Sequence, residues 1–367
     1  MSRKTITFLY MSKAYRNISK GNEGIMEIAA KDIITSKGSG PFTTSNYFDL
    51  LNELSKSDTV ECVNYVFLMS ENWMRSFCNG RTIGRKDISN KFKMHYTYNS
   101  NKLKIILNDS DLVIIRGNYS EWNVLLKYIN CNYIFLPCWA RISPNNLKIK
   151  LNKKRASVWV DEKDTRSLFS KEDYVADIFK KPAMGLFYSN LSNFEKTIDL
   201  SLVCSKTDRK HKRVGLYIDS LSYLDKITKN KINAVIVGDS SFHKNIIDSS
   251  SFNMINLSAA YDGKRTSKAK IIDILDTSRL SVCTSSVDAN PRVIVESLAR
   301  NVPVLCASDL GGGKFQINKK TGLIFNPNPE DLAKKMALGL SQVNAFSPRE
   351  NCIKISDTVS QILKLLI

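Results

Sequence analysis

The stretch 285–327, SSVDANPRVIVESLARNVPVLCASDLGGGKFQINKKTGLIFNP, constrains the fold of this chain more than any other. Asp288 and Glu296 stand eight positions apart in it, separated by a short loop ending at Pro291 and by the apolar run 293–295. A helical segment follows Glu296. A buried-strand pattern comes next (302–306), then a glycine turn (311–313) and a second turn at 321–324. The order is loop, helix N-terminus, helix, strand, glycine loop. A helix N-terminus has backbone N–H groups without intrahelical partners and carries the positive end of the helix dipole, so it suits phosphate. Carboxylates on either side of it suit hydroxyl-rich groups. The stretch therefore reads as a site for a phosphate between two polyols. An ordinary Rossmann-like αβ unit with an acid near the helix start is the plainer alternative.

The same residues resemble the carboxylate-x7-carboxylate signature of GT-B glycosyltransferases, especially the retaining family 4 type. The matching positions are Asp288, Glu296, Pro303, Val304, Ser308, Gly311, Gly312, Thr321, Gly322 and Leu323. Two departures stand out. Asp288 occupies a position where that family has Glu, and Asn290-Pro291-Arg292 replaces its Phe-Gly-Leu. The resemblance implies an α/β GT-B fold, with two Rossmann-like domains facing a central cleft.

Length and charge agree with such a fold. The chain has 367 residues, enough for two domains, and is 43% hydrophobic. Lysine and arginine total 54 against 35 acids, a net charge of +19. This favours polyanionic partners such as nucleotide phosphates, anionic membrane surfaces or nucleic acid. The basic residues are scattered, however, and no aromatic-basic recognition motif points to nucleic acid. The eight cysteines include no Cys-x-x-Cys pair, and several lie in apolar runs, so they read as buried thiols of a reducing, cytoplasmic compartment. The N-terminus lacks the pattern of a signal peptide. We expect a soluble protein, or one peripheral at a membrane surface.

Along the first half, strand patterns at 4–10, 63–69, 112–115, 133–136 and 157–160 are interleaved with helical ones. A polar loop with Gly21 and Gly24 leads into a helical pattern over 24–35, a sequence of elements that faces phosphate in Rossmann-like units but also fits a plain turn. The region 70–101 reads as irregular, and 174–180 as a helix. Asp109-Ser110-Asp111 looks like the metal-holding Asp-x-Asp of a different glycosyltransferase fold, yet it sits just before a strand and reads as a turn. Arg116 and Asn118 follow the C-terminal end of a strand, where open α/β sheets contact ligands. They are acceptor-side candidates. We place domains at 1–195 and 196–345, and a C-terminal helix at 346–367 that packs back on the first domain.

In the second half, a strand at 200–204 is followed by the basic loop 205–213, then by a helical pattern. By resemblance, Lys212 and Lys206, with Arg209 as a rival to Lys206, clamp a donor diphosphate. Paired cations there would stabilise a leaving group without a metal. The same loop also reads simply as basic surface. Gly238 ends the next strand in a pattern similar to the family's Val-Gly-Asp-Gly. The resemblance further implies that Glu296 binds ribose hydroxyls and Asp288 the transferred sugar. The helix start at Asn290, Arg292 and Val293 then meets the diphosphate. The implied activity is retaining, metal-independent transfer from a nucleotide sugar to a glycan hydroxyl, with no cofactor. The alternatives are an inverting GT-B enzyme, with Glu23, Asp32 and Glu121 as loose candidates for its base, and a basic nucleic-acid-binding protein.

Overall fold

The strand patterns form two separate sheets. A computed structural model describes residues 3–11, 46–68, 85–97, 100–120, 122–137, 142–191, 194–204, 209–238, 243–260, 267–288 and 291–366. The candidates Gly21, Gly24, Lys206 and Asn290, and the base candidates Glu23, Asp32 and Glu121, lie outside these residues. The chain divides into Met1–Met184 with Lys354–Ile367 (unit 1) and Gly185–Ile353 (unit 2). The divisions thus fall at 184/185 and 353/354, not at 195/196 and 345/346. The cause is visible in the hydrogen bonds. Arg300 Nη1 donates to the Ser189 carbonyl (3.0 Å) and Arg349 Nη2 to the Tyr188 carbonyl (2.8 Å), which fastens the segment after 184 into unit 2.

Unit 1 contains strands β1 (Lys4–Met11), β2 (Val60–Leu68), β3 (Arg85–Asp87), β4 (Phe92–Thr97), β5 (Leu112–Arg116), β6 (Asn132–Leu136), β7 (Ala156–Val160) and β8 (Val175–Ile178). They lie in the order β3-β4-β2-β1-β5-β6-β7-β8, and only β3 pairs antiparallel. Both faces of β1 are covered. Ile6 and Phe8 enter one core with helix α1 (Asn46–Leu54), and Leu9 enters the other. Burial on both faces explains the consecutive apolar residues Phe8 and Leu9 in its centre.

Two sequence expectations change. The region 70–101 contains β3 and β4 and is not wholly irregular. The stretch 174–180 contains the edge strand β8, paired in parallel with β7, and is not a helix. Four residues are too few to separate period 2 from period 3.6. The last helix of the chain, Ile355–Leu363, covers the end of β8. Gln361 Nε2 donates to the Ile178 carbonyl (2.8 Å), and Ile362 is buried in the unit 1 core.

Unit 2 contains β9 (Ile198–Val203), β10 (Ile232–Val237), β11 (Ile255–Ala260), β12 (Ser278–Cys283), β13 (Val304–Ala307) and β14 (Gly322–Phe325). All neighbours are parallel, in the order β11-β10-β9-β12-β13-β14. The helices that matter for the site are α2 (Val214–Ile227), α3 (Lys268–Thr277) and α4 (Arg292–Ala299). A further helix, α5 (Pro329–Ser341), starts at the Asn328 cap, whose side chain accepts from the Asp331 N–H. α2 and α5 cover one face of the sheet, with Tyr217, Leu221, Leu332 and Met336 in the core. We number the last helix α6 (Ile355–Leu363).

At Gly322, φ is +153° and a Cβ would lie 2.0 Å from the Val304 carbonyl oxygen, so only glycine fits where β14 meets β13.

Candidate active site

In a doubly wound sheet, the strand order reverses at one point, and ligands bind beyond the C-terminal strand ends there. In unit 2 that point lies between β9 and β12, which are hydrogen-bonded neighbours with helical connections leaving in opposite directions. The loop after β9 carries Arg209, Lys212 and Arg213. The loop after β12 carries Thr284, Ser286 and Asp288.

The two loops are laced together. Arg213 takes the left-handed conformation (φ 48°) where the chain enters α2. Its Nε donates to the Thr284 carbonyl (2.6 Å), and its other nitrogens fork onto both oxygens of Asp309 (2.8 and 2.7 Å). The Thr284 hydroxyl returns a bond to the Lys212 carbonyl (2.6 Å), and the Ser286 N–H donates to the His211 carbonyl (2.9 Å). Across this lacing the Lys212 ammonium pairs with the Asp288 carboxylate. The Gly312 N–H in turn donates to the Asp288 carbonyl (2.9 Å) and brings the glycine turn to the same place. His211 is held below its ordinary pKa by desolvation and by the neighbouring Lys212 charge. Its imidazole is therefore neutral at neutral pH, and the positive charge of the loop comes from its lysines and arginines.

α4 begins directly after Pro291, which offers no capping side chain. Arg292 and Val293 occupy its first turn, where the N–H groups point out of the helix. Glu296 lies one turn on and is 3% exposed. A carboxylate this buried needs a partner, and Lys268 Nζ supplies it at 2.6 Å. Gly238 follows β10, the strand beside β9, at φ +134°, a conformation that favours glycine.

The acceptor-side candidates in unit 1 fare differently from each other. Arg116 is paired in register with Tyr10 at the C-terminal ends of β5 and β1. Its guanidinium lies 4.9 Å from the Tyr10 ring centre and 5.1 Å from that of Tyr47. Asn118 is buried and committed to the following loop: its Nδ2 donates to the Asn146 carbonyl (3.0 Å), and its Oδ1 accepts from the Lys148 N–H (2.7 Å). Its amide therefore braces the loop at 146–148. Asp111 of the Asp-x-Asp triplet accepts from the Thr5 N–H (2.7 Å) and pairs with Lys4 (3.1 Å), so it staples the start of β1.

Sequence reasoning missed Lys268, Asp309 and the role of Arg213. Lys268 left one usable signal, a cation in the first turn of a helix, where the dipole disfavours it. The Arg213–Asp309 fork joins residues 96 positions apart and left none.

Cys283 ends β12, and burial pushes its thiol up to about 11; burial likewise raises Cys306 on β13. Iodoacetamide at pH 8 should therefore spare both in the native protein and label both in urea, as read by peptide mass mapping. Native labelling of either would contradict this burial.

Residues 192–357 match the family described as glycosyl transferases group 1. No curated protein matches the sequence. Solved structures match the whole chain in fold. A glycosyltransferase from Rickettsia africae ESF-5 is 15% identical, with TM-score 0.58, over 100% of this chain and 98% of its own. Anabaena Alr3699/HepE in complex with UDP and glucose is 14% identical, with TM-score 0.60, over 99% of each chain. Sucrose-phosphate synthase from Thermosynechococcus elongatus is 12% identical, with TM-score 0.59, over 99% and 98%. The chain has the GT-B fold, and its second unit carries a glycosyltransferase group 1 domain. It is an enzyme of the glycosyltransferase class.

Proposed function

We propose that the enzyme transfers a sugar from a nucleotide-sugar donor to a glycan hydroxyl, with retention and without a metal. The observation that carries this reading is the Lys212–Asp288 pair at the reversal point of the unit 2 sheet, beside the start of α4. An ammonium has three donors. Lys212 can hold Asp288 with one and a donor phosphate oxygen with another. The first turn of α4, at Arg292 and Val293, supplies N–H groups to the same diphosphate. Asp288 accepts from hydroxyls of the transferred sugar. It is one methylene shorter than Glu, so the sugar must sit close to the loop. Glu296 accepts from ribose hydroxyls. The leaving phosphate takes the proton of the incoming hydroxyl on the same face, so retention requires no protein base. Lys212 offsets the charge that develops on that phosphate. Arg209 lies on the same loop and adds positive potential. The net charge of +19 favours anionic donors and a peripheral place on an anionic membrane. No helix among the described residues is long and apolar enough to cross a membrane.

Binding of UDP-, GDP-, ADP- and TDP-sugars, followed with slow donor hydrolysis, tests the reading. One nucleotide class should bind, and Glu296→Ala should lose at least about tenfold in affinity, the scale of a hydrogen bond to a charged group. No binding, or an unaffected variant, overturns the assignment. Activity should survive EDTA, and the product anomer, read by NMR, should keep the donor's configuration.

A further inference from the structure

Lys268 and Asp276 stand near opposite ends of α3, about 12 Å apart along its axis at 1.5 Å per residue. Both contradict the helix dipole, the cation at the N-terminal end and the acid in the last turn. Each is offset by an opposite charge from α4 or its C-terminus. Lys268 meets Glu296 at 2.6 Å, and Asp276 meets Arg300 at 2.6 and 2.5 Å. Two ion-pair rungs of opposite polarity thus tie the two helices together.

The rungs differ in what else they hold. Arg300 and Asp276 both have side chains 1% exposed, and the remaining Arg300 donors go to the Ser189 and Asn190 carbonyls and the Ser189 hydroxyl. This rung is wholly internal. In the other, the Glu296 side chain is 4% exposed but Lys268 is 21% exposed, so its one end faces water. The Lys268 ammonium also lies 5.3 Å from the ring centre of Phe187, a fully buried residue whose own carbonyl accepts from Arg300 (3.4 Å). Lys268 is therefore directed by a fixed aromatic face and does not swing freely.

We infer that Lys268 is a positioning residue for nucleotide recognition: it keeps Glu296 as a charged, fixed acceptor for the ribose hydroxyls of a nucleoside diphosphate. This rests on the ribose reading of Glu296. A two-oxygen carboxylate has about four acceptor sites. Lys268 takes one side of it, which orients the other oxygen and leaves acceptor sites for hydroxyls. A neutral residue in its place leaves a buried carboxylate with no cation, and such a group loses its charge or its position.

The test is ribose discrimination, which a mere staple between helices would not set. Equilibrium dialysis of UDP, GDP and ADP, each against its 2′,3′-dideoxy counterpart, is run on the full chain. The unchanged protein should prefer one ribonucleotide by about tenfold or more. Lys268→Met should reduce that preference to about twofold or less, whereas Lys268→Arg should retain most of it. Circular dichroism melts show which variants are folded. If Lys268→Met does not fold, Lys268→Gln takes its place. If the unchanged protein binds none of these, or binds both sugars equally, the Glu296 reading falls and the inference with it. If the unchanged protein discriminates and the folded neutral variants do so equally well, only the inference is overturned. Loss of discrimination in Lys268→Arg as well points to crowding of Glu296 rather than charge and also overturns it.

Discussion

Arg300→Ala is expected to destabilise unit 2 by about 3–5 kcal/mol, the usual cost of removing one partner from a buried ion pair. The guanidinium is 1% exposed and donates to Asp276, to the Phe187, Ser189 and Asn190 carbonyls and to the Ser189 hydroxyl. Alanine leaves the Asp276 carboxylate, also 1% exposed, without its ion-pair partner, and leaves the Phe187 and Asn190 carbonyls without the Arg300 donor. The penalty comes chiefly from those stranded groups. Replacing both charges at once, as Asp276→Leu with Arg300→Met, should therefore cost clearly less than Arg300→Ala alone. For a unit of this size, each kcal/mol is about 2–4 °C in Tm. Urea and thermal melts of the full chain measure both variants. A loss under about 1 kcal/mol for Arg300→Ala, or a double variant no better than the single, would mean that the pair is not buried in solution.

Asp276 and Arg300 show where sequence reading stops. They lie 24 positions apart, and nothing in either local pattern announces the other. The features that were legible are those written into short windows. The apolar strands of unit 2, Pro291 ahead of α4 and the glycine turn at 311–313 follow from propensity and backbone conformation. The α/β character followed from the alternation of such elements. The resemblance on 285–327 then identified the GT-B class. Where a window was short or polar, the reading failed. The four residues of β8 could not reveal their period, and β3 and β4 are stabilised by pairing with β2 and each other. The candidate site divides in the same way. Asp288 and Glu296 were visible as a spaced pair on one stretch. What holds them was not: Lys212 reaches Asp288 across 76 positions, and Lys268 reaches Glu296 across 28. The position of Asn118, after a strand end, suits ligand contact as well as it suits a brace, and the bracing bonds to 146 and 148 were not legible in the sequence.

Lys212→Met is expected to lower kcat by about 10²–10³, the scale of losing one preorganised charge that stabilises a leaving group. The competing account is that Lys212 and Asp288 merely staple their two loops. The loops do not need that staple. Arg213 to the Thr284 carbonyl, Thr284 to the Lys212 carbonyl, and Ser286 to the His211 carbonyl cross the same gap without either charge. Side chains 20% and 26% exposed, moreover, form a pair that contributes about 1 kcal/mol or less to stability. The two accounts separate on binding as well as on rate. If Lys212 holds the diphosphate and Asp288 the sugar, Lys212→Met weakens the nucleoside diphosphate and the nucleotide sugar alike. Asp288→Asn then weakens only the nucleotide sugar and leaves the diphosphate close to its original affinity. A staple predicts that either substitution disturbs both ligands to the same extent, because each breaks the same bond. Isothermal titration of both variants with UDP and UDP-glucose, or with the nucleotide and nucleotide sugar that bind in the donor screen, decides between them. Equal losses on both ligands from both variants would remove Lys212 and Asp288 from direct substrate contact. A selective loss in Asp288→Asn assigns the short carboxylate to the sugar, and its length then sets how closely that sugar must approach the 284–288 loop.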